Sequence, residues 1–169
     1  MSEIKIVDYR PEHQPFFEAF NREWIEELFE MEPVDEWVLT NPGQAILQPG
    51  GAILMAEYNG TPAGTVGLRR VDAVTYEFTK MAVDKNFRRL GIAEEISYAS
   101  FKKAKALGAK QVILYSNTKN AGAIKLYEKI GFRQVEVEQD VYKRANVKMV
   151  IEIETAFRAS KRFDELIQL

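Results

Sequence analysis

Between Thr75 and Tyr115 the hydrophobic period changes twice, and this restricts the fold more than any other feature of the chain. Thr75 to Val83 reads as a strand. Ile92, Ile96, Ala99, Phe101, Ala104 and Leu107 then recur on one helical face, Gly108 closes the helix, and Gln111 to Tyr115 is an apolar run of β-formers. Strand, helix and strand in succession demand a crossover, so the two strands lie parallel with the helix against the sheet. The unit predicts an α/β chain.

The flanking segments extend that sheet. Ile4 to Tyr9 alternates like a strand, and Pro11 opens a helix whose apolar positions are Phe16, Phe17, Phe20, Trp24, Ile25 and Leu28. From Met31 to Gly51 the pattern is short and broken by Pro33, Asn41-Pro42-Gly43 and Pro49-Gly50-Gly51, which suits a lid over a pocket holding one or two helical turns. Ala52 to Tyr58 and Ala63 to Val71 form a hairpin across Asn59-Gly60-Thr61-Pro62, because Asn-Gly takes the positive φ angles of a short turn. Downstream, Asn120 to Ile130 reads as a helix stopped by Gly131, Phe132 to Glu138 and Val147 to Ile153 as strands, and Phe157, Phe163, Leu166 and Ile167 as one face of a final helix over residues 155–168. The sum is a mixed central sheet of about six to seven strands flanked by helices. One domain over residues 1–169, with its core in 3–153, accounts for all of it.

Composition removes several function classes. The 23 basic and 25 acidic residues are intermingled and leave a formal charge of −2, so no basic face for nucleic acid is predicted. The chain has no cysteine, which excludes disulfides, thiolate metal sites and a cysteine nucleophile, and fits a reducing, cytoplasmic setting. The single histidine, His13, cannot build a histidine metal cluster and is expected to be exposed. No metal is predicted. No stretch approaches the roughly 18 apolar residues of a membrane span, and the first residues lack the pattern of a signal peptide.

Two short stretches carry chemistry. Arg88-Arg89-Leu90-Gly91-Ile92-Ala93 stands at a strand-to-helix turn, where the first helical N–H groups have no intrahelical partner and the macrodipole is positive. Gly91 lets backbone approach a phosphate and Ala93 keeps the first turn open. Farther on, Asn120 and Tyr127 are seven residues apart, almost two helical turns, with the small Ala123 between them on the same side. A small residue flanked by two polar tips suits a groove.

Taken together, these stretches resemble the GCN5-related N-acetyltransferase (GNAT) superfamily. Its motif A appears as Arg88-x-x-Gly91-x-Ala93 and its motif B as Asn120-x-x-Ala123-x-x-x-Tyr127-x-x-x-Gly131-Phe132, in the family's order. Arg89 stands where glycine is frequent and Ala93 replaces the commoner second glycine, and neither change removes a backbone donor. The stretch from Trp24-Ile25-Glu26-Glu27 to Glu32-Pro33-x-Asp35, with Asn41-Pro42 and Pro49-Gly50-Gly51, is similar to members found alone or fused behind MarR-type DNA-binding domains.

The resemblance implies acetyl-CoA as cofactor, with CoA as product, and transfer of the acetyl group to a primary amine of a small molecule or peptide. It implies that the strand at Met81, Ala82 and Val83 pairs with the pantetheine arm, that Arg88, Arg89, Leu90, Gly91, Ile92 and Ala93 hold the pyrophosphate, and that Asn120 and Ala123 border the arm. Tyr127 is then the general acid near the thioester sulfur. Glu77 corresponds to the basic glutamate of the family's histone acetyltransferases, and on a regular strand it shares a face with Thr79 and Met81. A backbone N–H at Met81 or Ala82 is the candidate donor to the carbonyl oxygen.

Acceptor-side candidates are Trp24, Phe29 and Met31, which can wall a pocket, Asn117, and Arg69 and Arg144, which can clamp an acceptor's carboxylate. A non-catalytic acyl-CoA-binding sensor or scaffold would need motif A but neither Glu77 nor Tyr127. A dinucleotide-binding protein would place a Gly-x-Gly-x-x-Gly turn near the first strand, where this chain has none. The apolar face after Glu154 is left to pack on its own domain or against a second subunit as a homodimer.

Overall fold

The computed structural model describes residues 3–139 and 141–158. Among these, seven strands, β1 (Ile4–Asp8), β2 (Ala52–Tyr58), β3 (Thr61–Arg70), β4 (Thr75–Val83), β5 (Gln111–Ser116), β6 (Arg133–Val135) and β7 (Val147–Glu152), form one sheet in the order β1-β2-β3-β4-β5-β7-β6. The helices are α1 (Gln14–Leu28), α2 (Pro33–Thr40), α3 (Ile92–Ala106), α4 (Ala121–Lys129) and α5 (Ile153–Arg158). The predicted crossover is present: β4 and β5 are parallel, and every other neighbouring pair is antiparallel. No described helix is long and apolar enough to cross a membrane.

The period-two alternation of β2 sorts side chains into two cores. Leu54 and Ala56 pack with Ile92, Ile96, Phe101 and Ala104 of α3 on one face. Ile53 and Met55 pack on the other with Phe17 and Ile25 of α1, Leu39 of α2 and Ile46. Each buried Leu, Ile, Phe or Met side chain among these contributes about 1.5–3 kcal/mol of transfer free energy. The hairpin turn has positive φ at Asn59 and Gly60, and Asn59 Oδ1 accepts the Glu3 N–H at 2.7 Å, which anchors the turn beside β1.

Gly51 marks where the turn before β2 meets the sheet. A Cβ there would lie 2.2 Å from the Leu68 carbonyl oxygen and 2.6 Å from that of Ile46. Gly51→Ala therefore forces backbone apart, with an expected loss of about 1–3 kcal/mol of unfolding free energy, read from a urea denaturation curve.

Several elements differ from the expectation. His13 is 3% exposed: its Nδ1 accepts the Arg10 N–H at 2.9 Å and its ring packs near Tyr9, so the imidazole serves the entry to α1. Burial, then the nearby Arg10 charge, lower its pKa. Phe16 lies on the exposed side of α1. The lid is more regular than predicted, with two turns of α2 and a π-helical turn at Gly43–Leu47. β6 is shorter than predicted, Arg133–Val135, and Phe132 just before it packs in an aromatic cluster with Phe78, Phe101 and Tyr127. Ile153 opens α5, and the predicted final helix beyond Arg158 lies outside the described residues.

What positions the site is the parting of β4 from β5. Their ladder joins only Thr75–Glu77 to Gln111–Ile113. Past that point β4 continues to Val83 and β5 to Ser116 without pairing to each other, and both wall a cavity.

Candidate active site

β4 is not regular where it leaves β5. Thr65 faces Ala82 and Gly67 faces Thr79, so Val66 alone is opposed by two residues, Lys80 and Met81, and Lys80 takes φ +53. A non-glycine residue in the left-handed region costs on the order of 1–3 kcal/mol unless its surroundings enforce it. They do. The Thr65 hydroxyl donates to the Lys80 carbonyl at 2.9 Å, the Asn21 amide donates to Thr65 Oγ1 at 3.1 Å, and the Trp24 indole donates to Asn21 Oδ1 at 3.0 Å. Asn21 and Thr65 are fully buried. The register stays regular from Glu77 to Thr79, so these two share a face as expected, and the bulge breaks the alternation only between Thr79 and Met81; all residues from Glu77 to Met81 contribute to the cavity wall.

The cavity is about 510 Å³. Its walls come from α1 and α2 on one side, β4 and β5 at the base, the start of α4, and the loop between β6 and β7. Two carboxylates organise it. Asp35 of α2, 2% exposed, accepts from Arg144 Nη1 and Nη2 at 2.7 Å each and from Lys80 Nζ at 3.1 Å. Its carboxylate also accepts the Glu32 N–H at 3.0 Å. Burial pushes its pKa up, but the Arg144 hydrogen bonds, the Lys80 charge and the Glu32 amide outweigh that and hold it at about 2. Lys80 is pushed below the usual lysine value by burial, which the Asp35 charge opposes.

Glu77, 3% exposed, accepts from Arg69 Nη2 at 2.8 Å and from the Tyr142 hydroxyl at 3.0 Å. Among the described residues its Oε2 accepts from that hydroxyl alone, also at 3.0 Å, and so keeps lone-pair capacity. The Tyr142 pKa is raised to about 12 by burial and then by the Glu77 charge.

Tyr127 packs its ring edge-to-face on Phe78 and Phe132, with centroids at 5.7 and 6.0 Å. No hydrogen bond among the described residues reaches its hydroxyl, and no fully enclosed side-chain polar atom is left without a partner, so the hydroxyl opens into the cavity it lines. Burial pushes its pKa well above the usual tyrosine value. Asn120 is the residue before α4, makes no side-chain cap, and also lines the cavity. Ala123 is half-buried one turn along.

At the other end of the parted strands stands the start of α3. Gly91 is its N-cap with φ +86, no side chain caps the first turn, and nothing lies within 4 Å of where a Cβ would stand. The Gly91, Ile92 and Ala93 amides stand at this open turn, where the first helical N–H groups have no intrahelical partner. Ile92 is 1% exposed, so it offers a ligand its backbone only, while Arg88, Arg89 and Leu90 are exposed. Arg88 Nε donates to the Val83 carbonyl at 3.4 Å, which folds this turn back on β4. Ala82 is buried, and Met81 and Val83 are half-buried along the same strand.

The acceptor-side candidates separate. Trp24, Phe29, Arg69, Asn117 and Arg144 all line the cavity, whereas Met31 packs behind it in the second core. Arg69 and Arg144 direct their donors at the internal carboxylates Glu77 and Asp35. Asn117 Nδ2 donates to the Arg144 carbonyl at 2.6 Å. Lys80, Asp35 and Tyr142 escaped sequence reasoning. Asp35 reads locally as a helix cap after Pro33, Lys80 as a solvated strand residue and Tyr142 as part of a turn, because their partners are distant in sequence.

Comparison with known proteins agrees with this geometry. The model of the Acetyltransferase (GNAT) family matches residues 9–132, a span that contains both motifs. An N-alpha-acetyltransferase of Sulfurisphaera tokodaii is 40% identical over 63 residues, 37% of this chain and 38% of that protein. The matches to curated relatives span 21–38% of those proteins' own length. An acetyltransferase of the GNAT family from Staphylococcus aureus Mu50 superposes with a TM-score of 0.79 at 21% identity, covering 89% of this chain and 99% of that one. PaiA N-acetyltransferase from Thermoplasma acidophilum, solved with coenzyme A, gives 0.68 at 18% identity, covering 89% and 99%. With most of its length matched by the family model and its seven-stranded sheet shared with these structures, the chain belongs to the Acetyltransferase (GNAT) family.

Proposed function

We propose that this chain is an acyl-CoA-dependent N-acetyltransferase, moving an acetyl group from acetyl-CoA to a primary amine by direct attack within a ternary complex. The observation that carries the proposal is the gap between β4 and β5, with the uncapped amides of α3 at one end and the unpartnered Tyr127 hydroxyl in the cavity at the other.

The residues fit the cofactor. The amides at Gly91, Ile92 and Ala93, with Arg88 and Arg89 beside them, suit a pyrophosphate, and the part of β4 not bonded to β5, from Met81 to Val83, suits an extended amide-bearing arm. Asn120, which lines the cavity, and Ala123 one turn along α4 would border the arm. When bound, acetyl-CoA supplies the activated thioester carbonyl. The chain's own contribution is then protonic and geometric. Tyr127 holds its phenolic proton at neutral pH, since burial raises its pKa, and gives it up from Oη toward the cavity. Glu77 Oε2 accepts the proton of the incoming ammonium, directly or through one water, while Arg69 and Tyr142 hold the carboxylate still. A backbone N–H at Met81 or Ala82 would be the donor that polarises the carbonyl oxygen when the cofactor is bound.

Thermal denaturation with acetyl-CoA, CoA and NAD tests the binding half. At about 100 times Kd a ligand adds about 2.7 kcal/mol, or a Tm rise of roughly 5–10 °C for a domain of this size. The expected rise comes with acetyl-CoA and CoA and not with NAD; no rise with either CoA species contradicts the proposal. Thiol release across a panel of amines tests the transfer half, and binding without turnover would leave an acyl-CoA sensor. Glu77→Gln is expected to lower kcat/KM by on the order of 10²–10⁴ with the KM for acetyl-CoA unchanged; a variant that keeps its turnover moves the base elsewhere.

A further inference from the structure

We infer that the acceptor is a monoamine carried on an apolar or aromatic body, with no second positive charge. This rests on the acyltransferase proposal and names the substrate class of the same cavity.

The first support is electrostatic. The cavity walls carry three carboxylates, Glu32, Asp35 and Glu77, and three cations, Arg69, Lys80 and Arg144. Every one of those carboxylates is in contact with one of those cations: Asp35 with Arg144 at 2.7 Å and Lys80 at 3.1 Å, Glu77 with Arg69 at 2.8 Å, and Glu32 with Arg144 at 3.5 Å. A diamine or polyamine needs an uncompensated carboxylate for each ammonium that does not react. With Glu77 given to the reacting amine, taking Asp35 or Glu32 for a second ammonium would strand Lys80 or Arg144, which is strongly unfavourable. The mouth adds to the discrimination, because Arg144 and Lys119 both sit over the Phe29 ring, at 5.5 and 5.7 Å from its centroid. A second ammonium arriving there meets like charge.

The second support is apolar and independent of charge. Val34, Trp37 and Val141 are large hydrophobic residues left 52%, 48% and 39% exposed, and all three border this cavity. Val34 and Trp37 come from α2 and Val141 from the loop between β6 and β7, so two separate elements present apolar surface to the same opening. Exposed apolar side chains gathered at the rim of a cavity mark the surface a ligand covers. Behind them the aromatic side chains of Phe29, Tyr115 and Tyr142 continue the lining inward.

Matched amines separate this from its alternatives. Hexylamine and 1,6-diaminohexane have the same carbon chain and differ in one ammonium group, and phenethylamine adds an aromatic body. With acetyl-CoA saturating at neutral pH, the expected kcat/KM for hexylamine exceeds that for 1,6-diaminohexane by tenfold or more, and phenethylamine equals or exceeds hexylamine. Trp37→Ala, a change on the surface, is expected to lower kcat/KM for phenethylamine about tenfold with the KM for acetyl-CoA unchanged. Equal or faster turnover of the diamine, or of spermidine, overturns the inference while leaving the acyltransferase proposal standing. A Trp37→Ala enzyme that keeps its full phenethylamine rate overturns the apolar half. Failure of every amine to release thiol from an enzyme that acetyl-CoA still stabilises overturns the acyltransferase proposal and this inference with it.

Discussion

Replacing Tyr127 with phenylalanine is expected to lower kcat by on the order of 10²–10⁴, the usual contribution of a positioned proton-transfer group. The variant isolates chemistry from structure unusually well. The ring's contacts with Phe78 and Phe132 are kept by phenylalanine, and the hydroxyl has no hydrogen bond among the described residues to lose. Stability should therefore change by no more than about 0.5 kcal/mol, and acetyl-CoA affinity should hardly move. Because burial raises the tyrosine pKa, the wild-type enzyme should show no alkaline limb from this group below the ordinary value of 10.0. Single-turnover thiol release, with a denaturation curve beside it, reads both predictions. Unchanged turnover would remove Tyr127 from the mechanism.

The second large effect is on stability. Asp35→Asn leaves Arg144 and Lys80 facing each other across a carboxamide, and breaking a buried ion pair from one side costs roughly 3–5 kcal/mol. The carboxylate is 2% exposed and joins three elements at once: α2, the β4 bulge and the loop between β6 and β7. Urea denaturation should show the loss, and Lys80→Met in the Asp35→Asn background should recover part of it by removing the stranded ammonium. A loss below about 1 kcal/mol would mean that the cluster is solvated like a surface pair. The pH dependence has a definite sign. Asp35 titrates at about 2 in the folded chain against an ordinary 3.8, so its contribution is present above that ordinary value and disappears as pH falls toward 2. Asp35→Asn should lack this acid step.

These two predictions draw on different parts of the sequence, and the difference explains what could be read in advance. The parallel pair β4 and β5, α3, the hairpin at Asn59-Gly60 and the position of Tyr127 all follow from local periodicity, turn chemistry or motif spacing, which are carried by nearby residues. The Asp35 cluster joins positions 35, 80 and 144, and nothing local to any of them signals the others. The bulge at Lys80 was hidden for the same reason. Its warrant is the chain from Trp24 through Asn21 and Thr65 to the Lys80 carbonyl, which only the packed α1 and β3 bring together. His13 was misjudged because its ring satisfies a backbone amide three residues earlier, an arrangement as compatible with an exposed residue in sequence terms as with a buried one. Arg69 and Arg144 were expected to clamp an acceptor's carboxylate, and their donors are instead engaged by the chain's own Glu77 and Asp35, partners that nothing in the local sequence indicates.

The central claim is that one groove, running from the first turn of α3 along β4 to Tyr127, holds an acyl-CoA. Titrating the isotopically labelled protein with acetyl-CoA while following backbone amide resonances tests it most directly. The account predicts the largest shifts at Gly91, Ile92 and Ala93, a continuous set through Met81, Ala82 and Val83, and a further set at Asn120 and Tyr127. Absence of shifts at saturating acetyl-CoA, or shifts gathered away from α3 and β4, would contradict it.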